Sequence, residues 1–408
     1  MHTEYRGRRE EYPEQFCHLT VWEELPALWT IKSRKRRNQF TGHSAMLIDD
    51  QPEISMVLPK GRAMATRIYG TNYADIIKQN GYIAIEIYAY DGDDDIYLNR
   101  TDSYGGYNFV DAGYGNDLVV NSYEGGNDIY LGGGNDIYVA DIRVRDASSY
   151  DIVYGGSGND RFEIEGYASD YYGESGNDTF FSVGFNNYFN GGTGTDTISY
   201  QFQDDWSAER GKGVTIDLGY NYATTGSGRR EDLISIENAT GTNYGHDDIT
   251  GSAVANTLRG LGGHDIIEGL GGNDVLDGGS GDDDLYGGSG ADILRGGTGF
   301  DYLVGGTGTD SFDFNSISES AVGSRRDVIT DFHRSEFDVI DLSTIDADTT
   351  WSGNQSFTYI GGNAFSGEAG ELNFRSGIIS GDVNGDGYAD FQVRVNGATS
   401  LRVDDFFL

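Results

Sequence analysis

Seven nonapeptides follow one another without insertion from Gly251 to Asp313: GSAVANTLR, GLGGHDIIE, GLGGNDVLD, GGSGDDDLY, GGSGADILR, GGTGFDYLV and GGTGTDSFD. Their shared pattern is G-G-x-G-x-D-x-U-x, with U a large apolar residue. Glycine reaches positive φ without steric cost, so each run can turn sharply and aim carbonyl oxygens inward. Each run then ends in a carboxylate. Oxygen donors of this kind suit calcium, which takes about 6–8 of them. The candidate metal-binding positions in the second to fourth units are Gly260, Gly262, Gly263 and Asp265, then Gly269, Gly271, Gly272 and Asp274, then Gly278, Gly279, Gly281 and Asp283. The remaining three units supply Gly287, Gly288, Gly290 and Asp292, then Gly296, Gly297, Gly299 and Asp301, then Gly305, Gly306, Gly308 and Asp310.

The last three positions of each unit form a minimal strand with one apolar side chain facing in and its neighbours facing out. Two units therefore make one coil of eighteen residues, and alternate units stack. This predicts one inner ladder of Leu258, Leu276, Leu294 and Phe312 and another of Ile267, Leu285 and Leu303. The carboxylates then form two columns, Asp265–Asp283–Asp301 and Asp274–Asp292–Asp310, with about five sites between successive coils. Asn256 stands at the Asp position of the first unit, as a weaker site or a cap. A flexible glycine-rich linker does not keep an apolar residue at each ninth position. The nonapeptide resembles the calcium-binding repeat of RTX proteins, for which this consensus is established.

The chain has 408 residues, 62 of them Gly, and a formal net charge of −38. That balance argues against a nucleic-acid partner. It suits stacked carboxylates that repel one another until cations bind, so folding is expected to be coupled to calcium. A single Cys excludes an intrachain disulfide framework, and no apolar run is long enough for a transmembrane helix.

Residues 1–63 differ from the rest. They hold all four Pro, Cys17, and 10 of the 28 Lys+Arg against 9 of the 66 Asp+Glu; residues 64–408 therefore carry 18 − 57 = −39. Their basic run 32–37 reads as a solvated segment. We expect an atypical N-terminal segment, disordered or foreign to the native protein, with translation starting at Met64. Tryptic peptides from residues 1–60 in the natively secreted protein would refute that start.

From 64 to 250 the motif continues in looser form, giving an irregular β-solenoid that flows into the tandem block at 251–313. Candidate carboxylates are Asp94, Asp117, Asp128, Asp136, Asp160, Asp178 and Asp196; the last three are eighteen residues apart, one coil per step. The opposite corner has drifted to Asn near residues 184–187. Asp247 precedes the tandem block after a D-x-L-x-x-I-E-N-like run that resembles the introduction to RTX repeats. This region holds 22 of the 28 Tyr. They read as strand fillers of high β propensity, with an exposed sugar-stacking face as the alternative.

Residues 314–408 change pattern. The runs 327–332 and 338–343, Gly367-Glu368, Leu372, the segment 381–391 and the ending Asp404-Asp405-Phe406-Phe407-Leu408 resemble, in order and spacing, the C-terminal domain of serralysin-family proteases. The resemblance covers about 251–408. It implies a calcium β-roll with a β-sandwich-like cap, and an uncleaved type I secretion signal in Asp405-Phe406-Phe407-Leu408. Asp382, Asn384, Asp386 and Asp390 follow the start of an EF-hand-type loop, but Val393 stands where the bidentate Glu would be; a polar turn is the alternative.

None of the six His begins H-E-x-x-H, and no G-x-S-x-G elbow occurs. His246 and His264 read as solvent-facing turn residues. The expectation is an all-β, secreted, calcium-binding protein of parallel β-roll coils, with a non-catalytic surface, matrix or partner-binding role. Its alternatives are a polysaccharide-acting enzyme with its site on residues 64–250, or a non-proteolytic relative or accessory of the exported proteases.

Overall fold

The computed structural model describes residues 66–79, 84–98, 107–122, 126–140, 150–205 and 209–408, all within the unit Ala65–Leu408. The expectations for residues 1–63 and for the Met64 start lie outside the described residues. Short strands alternate between two sheets, of nineteen and fourteen strands, and no α-helix occurs among the described residues.

The period-2 alternation of each short strand buries one side chain in every coil, and parallel pairing places that residue above its counterpart. In the fourteen-stranded sheet the inner ladder runs Ile96, Val119, Tyr138, Phe162, Phe180, Ile198, Ala239, Leu258, Leu276, Leu294, Phe312, Ile340 and Phe406. In the other sheet, Ile249, Ile267, Leu285, Leu303, Ile329 and Val395 form the facing ladder. Both ladders expected of the tandem block therefore stand in the expected register.

Core composition changes along the axis. Tyr138, Phe162, Tyr171, Phe180, Phe189 and Tyr200 fill the coils before residue 201, whereas Leu and Ile fill the tandem block. Phe162 stacks on Phe180 at 4.7 Å and is fully buried. Phe162→Ala is expected to destabilise the calcium-loaded protein by about 3–5 kcal/mol, measured by denaturant unfolding, because the rigid coils around it cannot collapse onto the void.

Most other Tyr side chains of this region lie outside. Tyr69, Tyr88, Phe109, Tyr130, Tyr154, Tyr172 and Tyr188 form one continuous external ladder, with ring centroids 4.9–5.7 Å apart. Their faces cover one another, so this row mainly cements neighbouring coils.

A three-stranded antiparallel meander interrupts the winding. Val214–Asp217 pairs antiparallel with Tyr222–Thr225, which pairs with Arg230–Ile234. At the far end Glu371–Arg375, Ile378–Asp382 and Phe391–Val395 form an antiparallel sheet that joins the coil strand Val328–Ile329. Phe406–Phe407 extends the opposite sheet by pairing with Val339–Asp341. The cap is thus two facing sheets continuous with those of the roll.

Candidate calcium columns

In most coils the first inward residue of a strand is preceded, two positions earlier, by a polar residue at the corner of the coil. In the tandem block this is the repeat Asp. Its Oδ1 accepts the backbone N–H of the Asp one coil earlier: Asp265 N–H to Asp283 (2.8 Å), Asp283 N–H to Asp301 (2.9 Å) and Asp274 N–H to Asp292 (2.8 Å). Its Oδ2 is buried without a hydrogen-bond partner at Asp265, Asp274, Asp283, Asp292, Asp301 and Asp310.

The same arrangement extends beyond the tandem block. Asp94, Asp117, Asp136, Asp160, Asp178 and Asp196 form one column by the same link, each 2.7–2.8 Å from the preceding backbone nitrogen. All six Oδ2 atoms are again buried and unpartnered. That column continues through Glu237, whose carboxylate accepts the Asp196 N–H at 2.8 Å, and Asn256, into Asp274, Asp292 and Asp310. At the other corner the column runs from Asp247 through Asp265, Asp283 and Asp301 to Asp327.

The glycines leave room beside each carboxylate. A Cβ on Gly260 would stand 2.2 Å from Asp265 Oδ2 and 2.8 Å from the Gly278 carbonyl; one on Gly278 would stand 2.5 Å from Asp283 Oδ2 and 2.7 Å from the Gly296 carbonyl. Gly269 and Gly287 face Asp274 and Asp292 alike. The cradle is bounded by an unpaired carboxylate oxygen and a carbonyl of the next coil, a donor set that suits calcium. No group of three or more His, Cys, Asp or Glu side chains with metal-holding geometry forms among the described residues. Backbone carbonyls must therefore complete any coordination shell. Glycine at the fourth position is needed for another reason: Gly281 has φ 145°, and its Cβ would meet the Gly263 carbonyl at 1.5 Å.

Burial raises these carboxyls well above the ordinary range, and neighbouring carboxylates add to the effect in several of them. Asp274 and Asp283 are pushed up to about 7, Asp301 and Asp327 to about 8. In the earlier coils Asp117, Asp160 and Asp178 reach about 6, and Asp136 and Asp196 about 7. A bound cation would offset each shift by stabilising the ionised carboxylate.

Several candidates take other places. Asp128 is exposed and begins a strand; Asn127 holds the corner position, accepting the N–H of Asn108 at 3.0 Å. The inward residue is Ile129, so the residue two before it is Asn127. This corner continues as Asn108, Asn127, Asp151, Ser169 and Asn187, a polar ladder in which side chains satisfy the backbone. Glu231 follows, fully buried and held by Tyr200 Oη (2.7 Å), Ser182 Oγ and Asn187 Nδ2 (both 3.0 Å).

Asp247 has both carboxylate oxygens engaged, by the N–H groups of Val214 (2.7 Å) and Thr242 (2.6 Å), and so caps its column. Asn256 Oδ1 accepts the N–H of Ser252 in the same manner. Gly262 and Gly271 occupy the third position, where Ser280, Ser289, Thr298 and Thr307 stand in later units, so glycine is not required there.

In the cap, Asp382 accepts the N–H groups of Gly385 and Gly387, Asp386 that of Tyr388, and Asp390 that of Val383. Asn384 Nδ2 donates to Asp390 at 2.8 Å. These bonds hold the segment as a turn. Asp327 and Asp338 are column members outside the nonapeptide consensus; each precedes an inward apolar residue by two, in Asp327-Val328-Ile329 and Asp338-Val339-Ile340, and that spacing is the signal the sequence carries. His246 and His264 stack at 5.0 Å, and each Nδ1 accepts a backbone N–H of the next coil. They serve the coil stack.

Residues 231–408 match the family described as Peptidase M10 serralysin C terminal, and residues 145–163 and 172–206 match the RTX calcium-binding nonapeptide repeat. The chain thus carries RTX calcium-binding nonapeptide repeats and a serralysin C-terminal domain, and its cofactor is Ca2+. Neither match is to a protease catalytic domain. No curated protein matches the chain. Among solved structures, it is similar to the solution structure of the AlgE6R3 subunit from the Azotobacter vinelandii mannuronan C5-epimerase, at 24% identity, covering 40% of this chain and 77% of that one, with a TM-score of 0.24.

Proposed function

We propose that the protein is exported by a type I system, folds on extracellular calcium, and then acts as a non-catalytic surface, matrix or partner-binding scaffold. The carrying observation is the pair of columns of buried, unpaired Asp Oδ2 atoms running through the coils. Such columns are unfavourable without cations, so a calcium-poor cytoplasm keeps the chain loose and a calcium-rich exterior winds it. RTX repeats and serralysin C-terminal domains are typical of type I secreted proteins, which supports this route. Roll ligands on this reading are Asp265, Asp274, Asp283, Asp292, Asp301 and Asp310 with first-position glycine carbonyls, joined by Asp117, Asp136, Asp160, Asp178 and Asp196.

The C-terminal segment fits the same sequence of events. Asp405 pairs with Arg334, Phe406 is buried against Tyr359 at 5.1 Å, and Phe406–Phe407 is a sheet strand. A signal in Asp405-Phe406-Phe407-Leu408 would be legible only before folding. Chain prefolded with calcium is therefore expected to lose engagement with the export machinery, and chain held in chelator to retain it, in a reconstituted binding assay. Equal engagement of both forms would refute the coupling.

A further inference from the structure

One groove on the early coils opens on the second and third positions of turns whose first positions, Gly155 and Gly173, face the column carboxylates Asp160 and Asp178. At the corner where the larger sheet turns into the smaller, the second positions of successive turns are Tyr90, Gly113, Gly132, Gly156 and Glu174, stacked in order. Gly113, Gly132 and Gly156 form a floor without side chains. Tyr90 and Glu174 stand at its two ends, both with left-handed backbone (φ 78° and 71°) where the intervening positions are glycine. The groove has a volume of about 520 Å³, and Asp111, Tyr114, Ser157, Glu174 and Ser175 supply its side-chain lining.

The chemistry of that lining is narrow. It carries two carboxylates, two hydroxyls and one phenol, and no cation. Burial raises the carboxyls of both Asp111 and Glu174. Tyr114 is 72% exposed and lies over the Gly133 backbone. The external aromatic ladder buries its ring faces in mutual stacking, whereas Tyr114 stands apart from it. The nearby outer sheet face adds Glu86 and Asp128, and Arg67 on that face is paired with Glu86 at 2.6 Å.

We infer that this trough binds an extended glycan bearing protonated amino groups, laid along the axis of the solenoid. Asp111 and Glu174 lie three coil steps apart, roughly 14 Å, and would hold ammonium groups on separated rings. Ser157, Ser175 and the glycine carbonyls would meet ring hydroxyls, and Tyr114 would pack against a sugar face. A basic peptide fits less well. The trough crosses the strands instead of following a sheet edge, so an extended peptide finds no ladder of backbone partners there. Its alternate side chains would also recur every ~6.7 Å, out of step with coils ~4.8 Å apart. This inference rests on the reading of the chain as an extracellular binding protein.

The test uses the full chain saturated with calcium and titrated calorimetrically with a glucosamine hexamer. The fully N-acetylated hexamer and hexalysine serve as comparisons. The expected result is salt-sensitive binding of the glucosamine hexamer in preference to both. Asp111→Asn with Glu174→Gln should weaken it at least about tenfold, and Gly133→Ala, whose Cβ would stand 3.0 Å from the Tyr114 ring, should weaken it similarly. Calcium midpoints of folding should match the parent in both variants, which separates lost contacts from lost structure. Absence of binding, equal binding by the double variant, or preference for hexalysine would overturn the glycan assignment while the calcium-folded binding protein stood. Shortening of the hexamer by the parent would instead overturn the non-catalytic reading.

Discussion

At pH 8, chelation is expected to abolish the β-sheet circular dichroism of residues 66–408, and calcium to restore it cooperatively. The reason lies in the carboxylates that the fold buries. Asp283 rises from an ordinary 3.8 to about 7, a shift worth about 4 kcal/mol against the ionised folded state. A few such groups rival the ~5–15 kcal/mol that stabilises a typical domain. Calcium offsets this cost, because each site held at a thousand times its dissociation constant adds about 4.1 kcal/mol to the folded state. The sign with pH follows from the folded pKa lying above the unfolded one. The favourable contribution of these carboxyls is full below about 4, where they are protonated in both states. It is lost as pH rises through about 6 to 8, the range of Asp310, Asp274 and Asp301. Metal-free chain should therefore be more ordered at pH 5 than at pH 8, and the calcium midpoint should rise on acidification from 8 to 6 as protons compete. Equal ellipticity and hydrodynamic radius with and without chelator at pH 8 would remove the coupling.

Asp283→Asn should separate the two roles of one carboxylate. The side chain accepts the Asp265 N–H through Oδ1, and its unpaired Oδ2 faces the Gly278 cradle. Asparagine keeps the amide oxygen for the first role and replaces the charged ligand in the second. Calcium affinity should fall at least about tenfold at the affected coil, with the overall folding midpoint moving to higher calcium. Metal-free stability at pH 8 should rise, because an uncompensated buried charge has gone. The opposite signs make the result diagnostic: a variant weaker in both conditions would show that Asp283 acts as a structural acceptor only. Calcium titration and chelator-phase urea unfolding read the two terms separately.

The register of the tandem block was legible because its period is strict. Leu258 over Leu276 over Leu294 follows from nine-residue units taken two at a time. The looser coils were legible only in part. Asp160, Asp178 and Asp196 keep the eighteen-residue step, but steps of 23, 19 and 24 residues separate Asp94, Asp117, Asp136 and Asp160. A local motif is blind to such insertions, because stacking depends on which side chain enters the core and not on the count between entries. That is why Asp128, next to a glycine pair, stood as a candidate while Asn127 holds the corner.

From the sequence alone came the chemistry of the chain: glycine turns, carboxylates at fixed offset from an apolar residue, and a C-terminal segment of serralysin type. Each is a property of a few adjacent residues, so it survives without knowledge of the fold. Tertiary structure decided which carboxylates share a column, that Asp247 is spent on Val214 and Thr242, and that Asp327 carries the column into the cap. Those outcomes depend on hydrogen bonds between residues 5 to 33 positions apart. The Thr242 bond closes a local turn, but only coil stacking brings groups 26 to 33 positions apart within 3 Å, and a carboxylate free to take a metal is told from one already satisfied by its neighbours in space.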